Sequence, residues 1–171
     1  MTSQAIVERI QSRFGEAVIE AVAEGLHPRV HINGSTWREL ATFLKNDNEL
    51  SFDWLSCLGG MDYVASDQLA IVVDLYSTWH KHLFAVKVFT PREDKHLPSV
   101  TDLWAAANWQ EREAFDMFGL VFDGHPDFRR ILLEDNWIGY PLLKDYVFPR
   151  EVNGIPGSVE LDWQQKPSGK K

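Results

Sequence analysis

The stretch QLAIVVDLYSTWHKHLFAVKVF, residues 68–89, decides the fold class of this chain. Residues 68–76 and 82–89 are two runs rich in branched and aromatic side chains, and a polar stretch separates them. Two such runs around a short polar turn predict an antiparallel β-hairpin. In the second run Phe84, Val86 and Val88 share one face and Lys87 points to the other, as expected of a strand with one buried side.

The residues before this hairpin predict two helices and a short strand. Apolar residues recur every three or four positions over residues 3–24, which indicates an amphipathic helix. A short strand is predicted over residues 29–32. A second helix is predicted over residues 36–46, because Thr36 and Glu39 have the spacing of a capping box.

A further strand is predicted immediately before the hairpin. Residues 52–58 form an apolar and aromatic run, which Gly59 and Gly60 are expected to break. Cys57 in this run is interpreted as a small buried residue. Helices followed by paired strands predict an α+β fold, with a small, mostly antiparallel sheet and helices packed on one face, followed by an extended, loop-rich C-terminal segment.

The last third of the chain is expected to be irregular. A third helix is predicted from residue 99 or 101 to Phe118, and Gly119 is its expected end. Beyond it, glycine and proline recur too often for long helices or strands, although ten of the 21 aromatic residues lie within 104–148. Such a segment must cover its own domain or a partner. The predicted organisation is an α+β domain over 1–118, an extended partner-wrapping segment over 119–163 and a disordered tail over 164–171.

Composition excludes several classes of function. The chain has 171 residues with 17 Lys and Arg against 25 Asp and Glu, and the resulting net charge of −8 argues against nucleic acid binding. Its single cysteine cannot hold an iron–sulfur cluster or a thiolate zinc site, which need several thiolates. No apolar run approaches the roughly 20 residues of a membrane span, so a soluble protein is expected.

The densest group of functional side chains lies in the predicted third helix, at residues 109–116. Glu113 and Asp116 are three residues apart, and two such carboxylates could act as general acid and base. Arg112 and Asp116 are four residues apart and could form a helical ion pair. Because such ion pairs are common on helices, a charge network at a surface or interface is the favoured interpretation.

Histidines and arginines near residue 125 offer a second candidate site. His125 could bind a metal only together with other ligands, and nothing in the sequence places His80 or His82 beside it. Arg129 and Arg130 suit a carboxylate or phosphate partner, or they pair with the acidic residues nearby. The sequence contains no glycine-rich phosphate loop, no G-x-S-x-G and no H-E-x-x-H.

A series of short motifs runs from residue 60 to residue 146: G-M-D-Y (60–63), P-S-V-T (98–101), L-W (103–104), A-N-W-Q-E-R-E (107–113), D-M-F-G (116–119), G-H-P-D (124–127), R-R-I-L (129–132), W-I-G-Y-P-L (137–142) and K-D-Y (144–146). Together these motifs resemble the C subunit of respiratory complex I, the NADH-quinone oxidoreductase. The resemblance is strong over residues 50–148 and covers the N-terminal helices only in layout. One position departs from the family pattern, because Leu143 stands where an arginine is usual.

The resemblance implies a cofactor-free structural subunit in the hydrophilic arm of a proton-translocating NADH:quinone oxidoreductase. Members of this family lie beside the quinone-site subunits, chiefly the D subunit with the B and I subunits nearby, on the cytoplasmic face of the membrane. FMN, iron–sulfur clusters, NADH and quinone are expected on other subunits, and this chain is expected to carry no catalytic residue. The residues implied to contact partners or to brace the C-terminal half are Glu111, Arg112, Glu113, Asp116, His125, Pro126, Arg129, Arg130, Lys144 and Asp145.

Two alternatives remain open from the sequence. One is the homologous subunit of a membrane-bound hydrogenase or of a ferredoxin-linked complex, because the electron donor is bound elsewhere. The other, from a different class, is a stand-alone hydrolase that uses Glu113 and Asp116 as its carboxylate pair.

Overall fold

The chain contains three helices and nine strands within the part that the computed structural model describes, which is residues 1–149, 151–152 and 154–156. Single turns of 3-10 helix lie at Gly15–Ala17 and Val64–Ser66. The elements are α1 Ser3–Phe14, β1 Val18–Val22, β2 Arg29–Asn33, α2 Gly34–Asn46, β3 Trp54–Tyr63, β4 Gln68–Ser77, β5 His82–Pro91, β6 His96–Pro98, α3 Ala107–Phe118, β7 Val121–Asp123, β8 Glu151–Val152 and β9 Ile155–Pro156.

The main sheet has five strands in the order β1-β2-β5-β4-β3. Only β2 and β5 pair in parallel, and the other three pairs are antiparallel. The predicted hairpin is confirmed, because β4 and β5 pair from Gln68 opposite Pro91 to Ser77 opposite His82. The α+β class and the mostly antiparallel sheet are confirmed as well.

The hydrophobic core lies between one face of this sheet and the helices. Phe84, Val86 and Val88 are buried there, as the alternation along the strand predicts. The other face of the sheet, called the open face below, carries a cross-strand row of Met61, Ala70 and Phe89. The remaining members of the core include Ile6, Ile10, Leu40, Leu44, Leu69, Ile71, Val73, Ala107 and Ala114.

The helix predicted over residues 3–24 is wrong in its second half. Helix α1 ends at Phe14, and Val18–Val22 form the edge strand β1 instead. The branched residues Val18 and Ile19 favour extended backbone, and β1 gains a ladder of hydrogen bonds by pairing with β2. Pairing with a distant strand therefore overrides the helical spacing of the apolar residues.

The predicted break at Gly59 and Gly60 is also wrong, because β3 runs through both glycines. A Cβ atom at Gly60 would lie 2.4 Å from the ring of Phe118, so glycine here lets α3 pack closely on the strand. Cys57 is exposed rather than buried, because the β3–β4 register shifts between Leu55 and Cys57 and turns the cysteine away from the core.

Two helix starts differ from the prediction. Helix α2 begins at Gly34, so Thr36 lies inside its first turn and does not cap it. Helix α3 begins at Ala107, because residues 99–106 form turns that bury Val100 and Trp104. The predicted end at Gly119 is confirmed: its φ is +77°, and its N–H donates to the carbonyl of Phe115 at 2.8 Å.

Residues 119–149 are irregular apart from β7, which pairs in parallel with β6. This agrees with the predicted loop-rich segment as far as the described residues reach. The predicted tail, residues 164–171, lies outside the described residues, as does the rest of 157–171.

Candidate functional site

The candidate site is built on α3 and on the segment 124–148 that follows it. Glu111 is wholly buried on the inner side of α3. Its Oε1 accepts the N–H of Val100 at 2.8 Å and its Oε2 accepts the hydroxyl of Ser99 at 2.7 Å. Burial raises the pKa of Glu111 to about 7. Glu111 therefore braces the turn before α3 from within the fold.

Asp116 fixes the start of the following loop, and we call this arrangement the Asp116 clamp. Its side chain is wholly buried, and its Oδ1 lies 2.7 Å from Nη1 of Arg130. Its Oδ2 accepts three consecutive backbone N–H groups, from Ile131 at 3.0 Å, Leu132 at 2.7 Å and Leu133 at 3.0 Å. Burial alone would raise the pKa of Asp116, but these donors hold it below its ordinary value.

The acid–base pair considered from the sequence does not form. Glu113 is exposed, whereas the neighbouring Asp116 is buried and bound by four donor groups. An aspartate with a lowered pKa and no free oxygen cannot deliver a proton to a substrate. The helical ion pair between Arg112 and Asp116 is absent too, because Arg130 occupies the carboxylate.

A second arrangement, the Asp62 clamp, ties the end of the segment to β3. The Asp62 side chain has no exposed surface, and its Oδ2 lies 3.0 Å from Nη2 of Arg92. The same Oδ2 accepts the backbone N–H of Lys144 at 2.8 Å. Arg92 also binds both carboxylate oxygens of Asp145, at 2.7 and 3.0 Å, which lowers the pKa of Asp145. Leu143 beside it packs against the core.

Arg112 and His125 hold the middle of the segment. Arg112 is buried, and its Nε donates to the carbonyl of Arg129 at 3.2 Å. Its guanidinium also lies 4.7 Å from the ring centroid of Trp109. His125 contacts the carbonyl of Asn108 through Nε2 at 3.1 Å.

The ten predicted site residues thus divide by exposure. Glu111, Arg112, Asp116 and Arg130 point into the fold or are nearly covered, and they stabilise the chain's own C-terminal half. His125 is half-buried, and the side chains left at the surface are those of Glu113, Pro126, Arg129, Lys144 and Asp145. Their contact with partners stays a prediction. Sequence reasoning missed Arg92 altogether, because a single arginine in a charged loop carries no signal.

The aromatic residues of this half are only partly a surface. Trp104 and Phe122 are buried in the core, and the rings of Phe115 and Phe128 pack at a tilt with centroids 4.4 Å apart. Several large apolar side chains are nevertheless exposed, with Ile138 at 83% and Val147 at 84%. We call these residues the exposed apolar set: Trp109, Leu132, Ile138, Leu142, Val147 and Phe148.

The histidines of the described residues do not come together as a metal centre. Within the part of the chain that the structure describes, no group of three or more His, Cys, Asp or Glu side chains could hold a metal ion. His80 and His82 stack on each other at 5.6 Å and contact the backbone carbonyls of Asn48 and Leu50, so they do not join His125. None of the described helices has the length and apolar character needed to cross a bilayer.

Sequence comparison places the whole of this site inside a known family. Residues 30–152 match the family described as respiratory-chain NADH dehydrogenase, 30 Kd subunit. The chain is 45% identical over 149 residues to the NADH-quinone oxidoreductase C subunit of Chloroherpeton thalassium, which covers 85% of this chain and 61% of that protein. With the corresponding C subunit of Chlorobium phaeobacteroides the identity is 40% over 148 residues, or 85% of this chain and 89% of that one.

This chain therefore spans about three fifths of the length of the Chloroherpeton relative and most of the Chlorobium one. Among solved structures it resembles Nqo5, in its trypsin-resistant fragment 1–134, with a TM-score of 0.63 and 33% identity over 74% of this chain and 99% of that one. A chain of the archaeal membrane-bound sulfane sulfur reductase shares the fold, with a TM-score of 0.66 and 21% identity over 86% of each chain.

Proposed function

The chain belongs to the family of respiratory-chain NADH dehydrogenase 30 kDa subunits, and we propose that it is a structural subunit of an NADH-quinone oxidoreductase, respiratory complex I. One observation carries the structural role: two buried carboxylate clamps hold a loop segment that presents large apolar side chains to water. Exposing such side chains from a fixed backbone is unfavourable unless a partner covers them. The function of the segment is therefore assembly.

The proposed setting is the hydrophilic arm of the complex. There the chain contacts chiefly the D subunit, with the B and I subunits nearby, and attaches to the cytoplasmic face of the membrane only through the complex. FMN, iron–sulfur clusters, NADH and quinone are bound by other subunits. The single Cys57 supports this, because a cluster needs several thiolates. The segment 119–163 is proposed to lie along the partners, while the clamps tie its first part to this chain.

Assembly of surface variants tests the proposal. We expect Ile138→Asp and Val147→Asp to fold as the parent does, because both side chains are almost fully exposed. In the complex each would bury a charge in an apolar contact, so recovery of tagged chain with its partners should fall about tenfold or more. Leu26→Asp is the matched control, since Leu26 is 90% exposed but lies outside the segment.

Equal recovery of Ile138→Asp, Val147→Asp and Leu26→Asp with the complex would contradict the proposed interface. Recovery of the parent chain without any redox subunit would contradict the proposed function itself. Loss of recovery only for the two variants inside the segment is the supporting result.

The electron donor separates the main proposal from its alternative. A homologous subunit of a membrane-bound hydrogenase or ferredoxin-linked complex would share this fold, as the archaeal reductase does. NADH oxidation by the purified complex supports the main proposal. Oxidation of hydrogen or reduced ferredoxin, without NADH oxidation, supports the alternative. The stand-alone hydrolase would need Asp116 as one of its two catalytic carboxylates, and this carboxylate is bound within the fold.

A further inference from the structure

Strand β3 is a long and open edge of the main sheet. In the order β1-β2-β5-β4-β3 the two outer strands are β1 and β3, and within the described residues β3 pairs only with β4. It is ten residues long. Gly59 and Gly60 are both partly exposed, although the Phe118 ring covers one side of Gly60. Because glycine has only backbone atoms, water reaches the backbone of β3 at these two residues.

The other edge strand is protected in ways that β3 is not. Strand β1 has five residues, and its register with β2 shifts between Val18 and Glu20. The short length of β1, its irregular pairing and the exposed carboxylate of Glu20 all discourage the addition of another strand. Strand β3 contains no lysine, arginine or proline, and it has exposed Trp54 and Met61 on the open face beside the edge. It is therefore the edge suited to strand addition.

The chain around β3 and β4 is acidic, and the basic side chains that reach β3, Lys87 at Tyr63 and Arg92 at Asp62, lie at its last two residues. Residues 46–80, which include β3 and β4, contain no lysine or arginine and six acidic residues. Asp62 is compensated by Arg92, but Asp74 on the open face and Glu113 on α3 are exposed. Asp74 lies opposite Cys57 in the pairing of β3 with β4. Burial first, and then the carboxylates of Asp74 and Glu113, raise the pKa of the Cys57 thiol.

We propose that β3 accepts an extended segment of a partner subunit as a sixth strand of the sheet, and that this segment carries basic side chains beside Asp74 and Glu113. The inference rests on the proposed function, since it requires a partner within the complex. Backbone hydrogen bonds along the edge would supply affinity, and the acidic flank would select the partner. A second copy of this chain fits poorly, because its own β3 edge would bring the same acidic residues together.

Hydrogen exchange at single-residue resolution tests the backbone part of the proposal. In the isolated chain, alternate amides of residues 57–63 should be slow where they donate to β4 and fast where they point outward. In the complex assembled with tagged chain, we expect the outward amides to exchange at least tenfold more slowly. Contact through side chains alone would leave this alternation unchanged.

Opposite charges at one position test the choice of partner. A Cβ atom at Gly59 meets nothing within 4 Å, so both Gly59→Lys and Gly59→Glu should fold. Beside a basic partner strand, Gly59→Lys should reduce recovery with the complex about tenfold, whereas Gly59→Glu should retain it. Gly15→Lys is the control, because a Cβ atom there is equally free and lies outside the edge.

Each remaining outcome contradicts the inference in a recognisable way. If the chain enters the complex while the outward amides stay fast, the strand addition is wrong and the proposed function stands. If the chain enters no complex, both are wrong. Protection that grows with the concentration of the isolated chain would show pairing with a second copy, and equal recovery of the lysine and glutamate variants would contradict a basic partner.

Discussion

Two buried carboxylates on α3 show how the number of donors sets the ionisation of a side chain. Glu111 and Asp116 are both wholly buried, and burial favours the neutral form of each. Glu111 receives one amide and one hydroxyl, and its pKa rises to about 7. Asp116 receives three amides and a guanidinium, and its pKa falls below the ordinary value. Glu111 therefore makes the free energy of unfolding depend on pH up to neutrality, and Asp116 makes it depend on pH in acid.

The raised pKa of Glu111 predicts that the chain loses stability between pH 4.5 and pH 7. In this window the folded state holds a proton that the unfolded state releases, so the free energy of unfolding falls as pH rises. The full effect is about 3 kcal/mol. Glu111→Gln mimics the protonated side chain, and it should match the parent near pH 4.5 and exceed its stability at pH 8 in urea unfolding.

The exposed neighbour provides the control for this variant. Glu113→Gln removes the same charge from the same helix without changing a buried group. We expect it to change the free energy of unfolding by less than about 0.5 kcal/mol. A Glu111→Gln protein that is less stable than the parent at pH 8 would contradict the raised pKa of Glu111, because the fold would then favour the ionised carboxylate.

Asp116→Asn is expected to destabilise the chain strongly. The change leaves the nearly buried Arg130 without its counter-charge, which costs about 3–5 kcal/mol. Because the fold lowers the pKa of Asp116, its carboxylate stabilises the fold at pH values above the ordinary aspartate pKa. This contribution is lost as the pH falls through the pKa of the folded state. The difference between parent and variant in urea unfolding should therefore be full at pH 7 and shrink in acid.

Asp135→Asn is the matched control, since Asp135 lies on the same segment and is exposed. It should change the free energy of unfolding by less than about 0.5 kcal/mol. An Asp116→Asn protein as stable as this control would contradict the Asp116 clamp.

At the scale of elements, the packing of α3 on β3 depends on one glycine. Gly60 faces the helix, and the Phe118 ring occupies the space that a side chain would need. The adjacent Gly59 faces the open side and has free space. Because neighbouring strand residues point to opposite faces, two identical substitutions one residue apart probe the two faces separately.

Gly60→Ala should destabilise the chain by about 1–3 kcal/mol, because the new methyl group forces α3 and Phe118 away from the strand. Gly59→Ala should be neutral or slightly stabilising, since it only restricts the unfolded chain. Thermal unfolding of the two variants measures the difference. Equal midpoints would show that α3 does not pack closely at Gly60.

At the scale of the whole molecule, the segment 119–163 should be more accessible in the isolated chain than in the complex. The clamps fix it to the domain at Asp116 and Asp62, but Arg129 and Lys144 are exposed trypsin sites. We expect cleavage at both sites in the isolated chain and protection in the complex. The exposed apolar set should also make the isolated chain self-associate, as sedimentation would detect.

The matched control for this digestion is the N-terminal helix, where Arg13 should be cut at similar rates in both states. Equal protection of 119–163 alone and in the complex would contradict the partner-wrapping proposal.

The sequence by itself determined the features that depend on neighbouring residues. The alternation of apolar residues gave the hairpin of β4 and β5, and Gly119 marked the end of α3 because only glycine adopts its left-handed backbone readily. Short motifs of neighbouring residues also identified the family, and the candidate residues around α3 came from those motifs.

Only the tertiary structure decided where those residues point and what they bind. Val18–Val22 became a strand because β2 lies beside it, and β3 passed through two glycines because both pair with β4. The Asp62 clamp joins residues 82 positions apart. Such contacts have no periodicity along the chain, because they depend on how close the folded backbone brings distant groups. This is why only the structure shows that Glu111, Asp116 and Arg130 bind groups of their own fold.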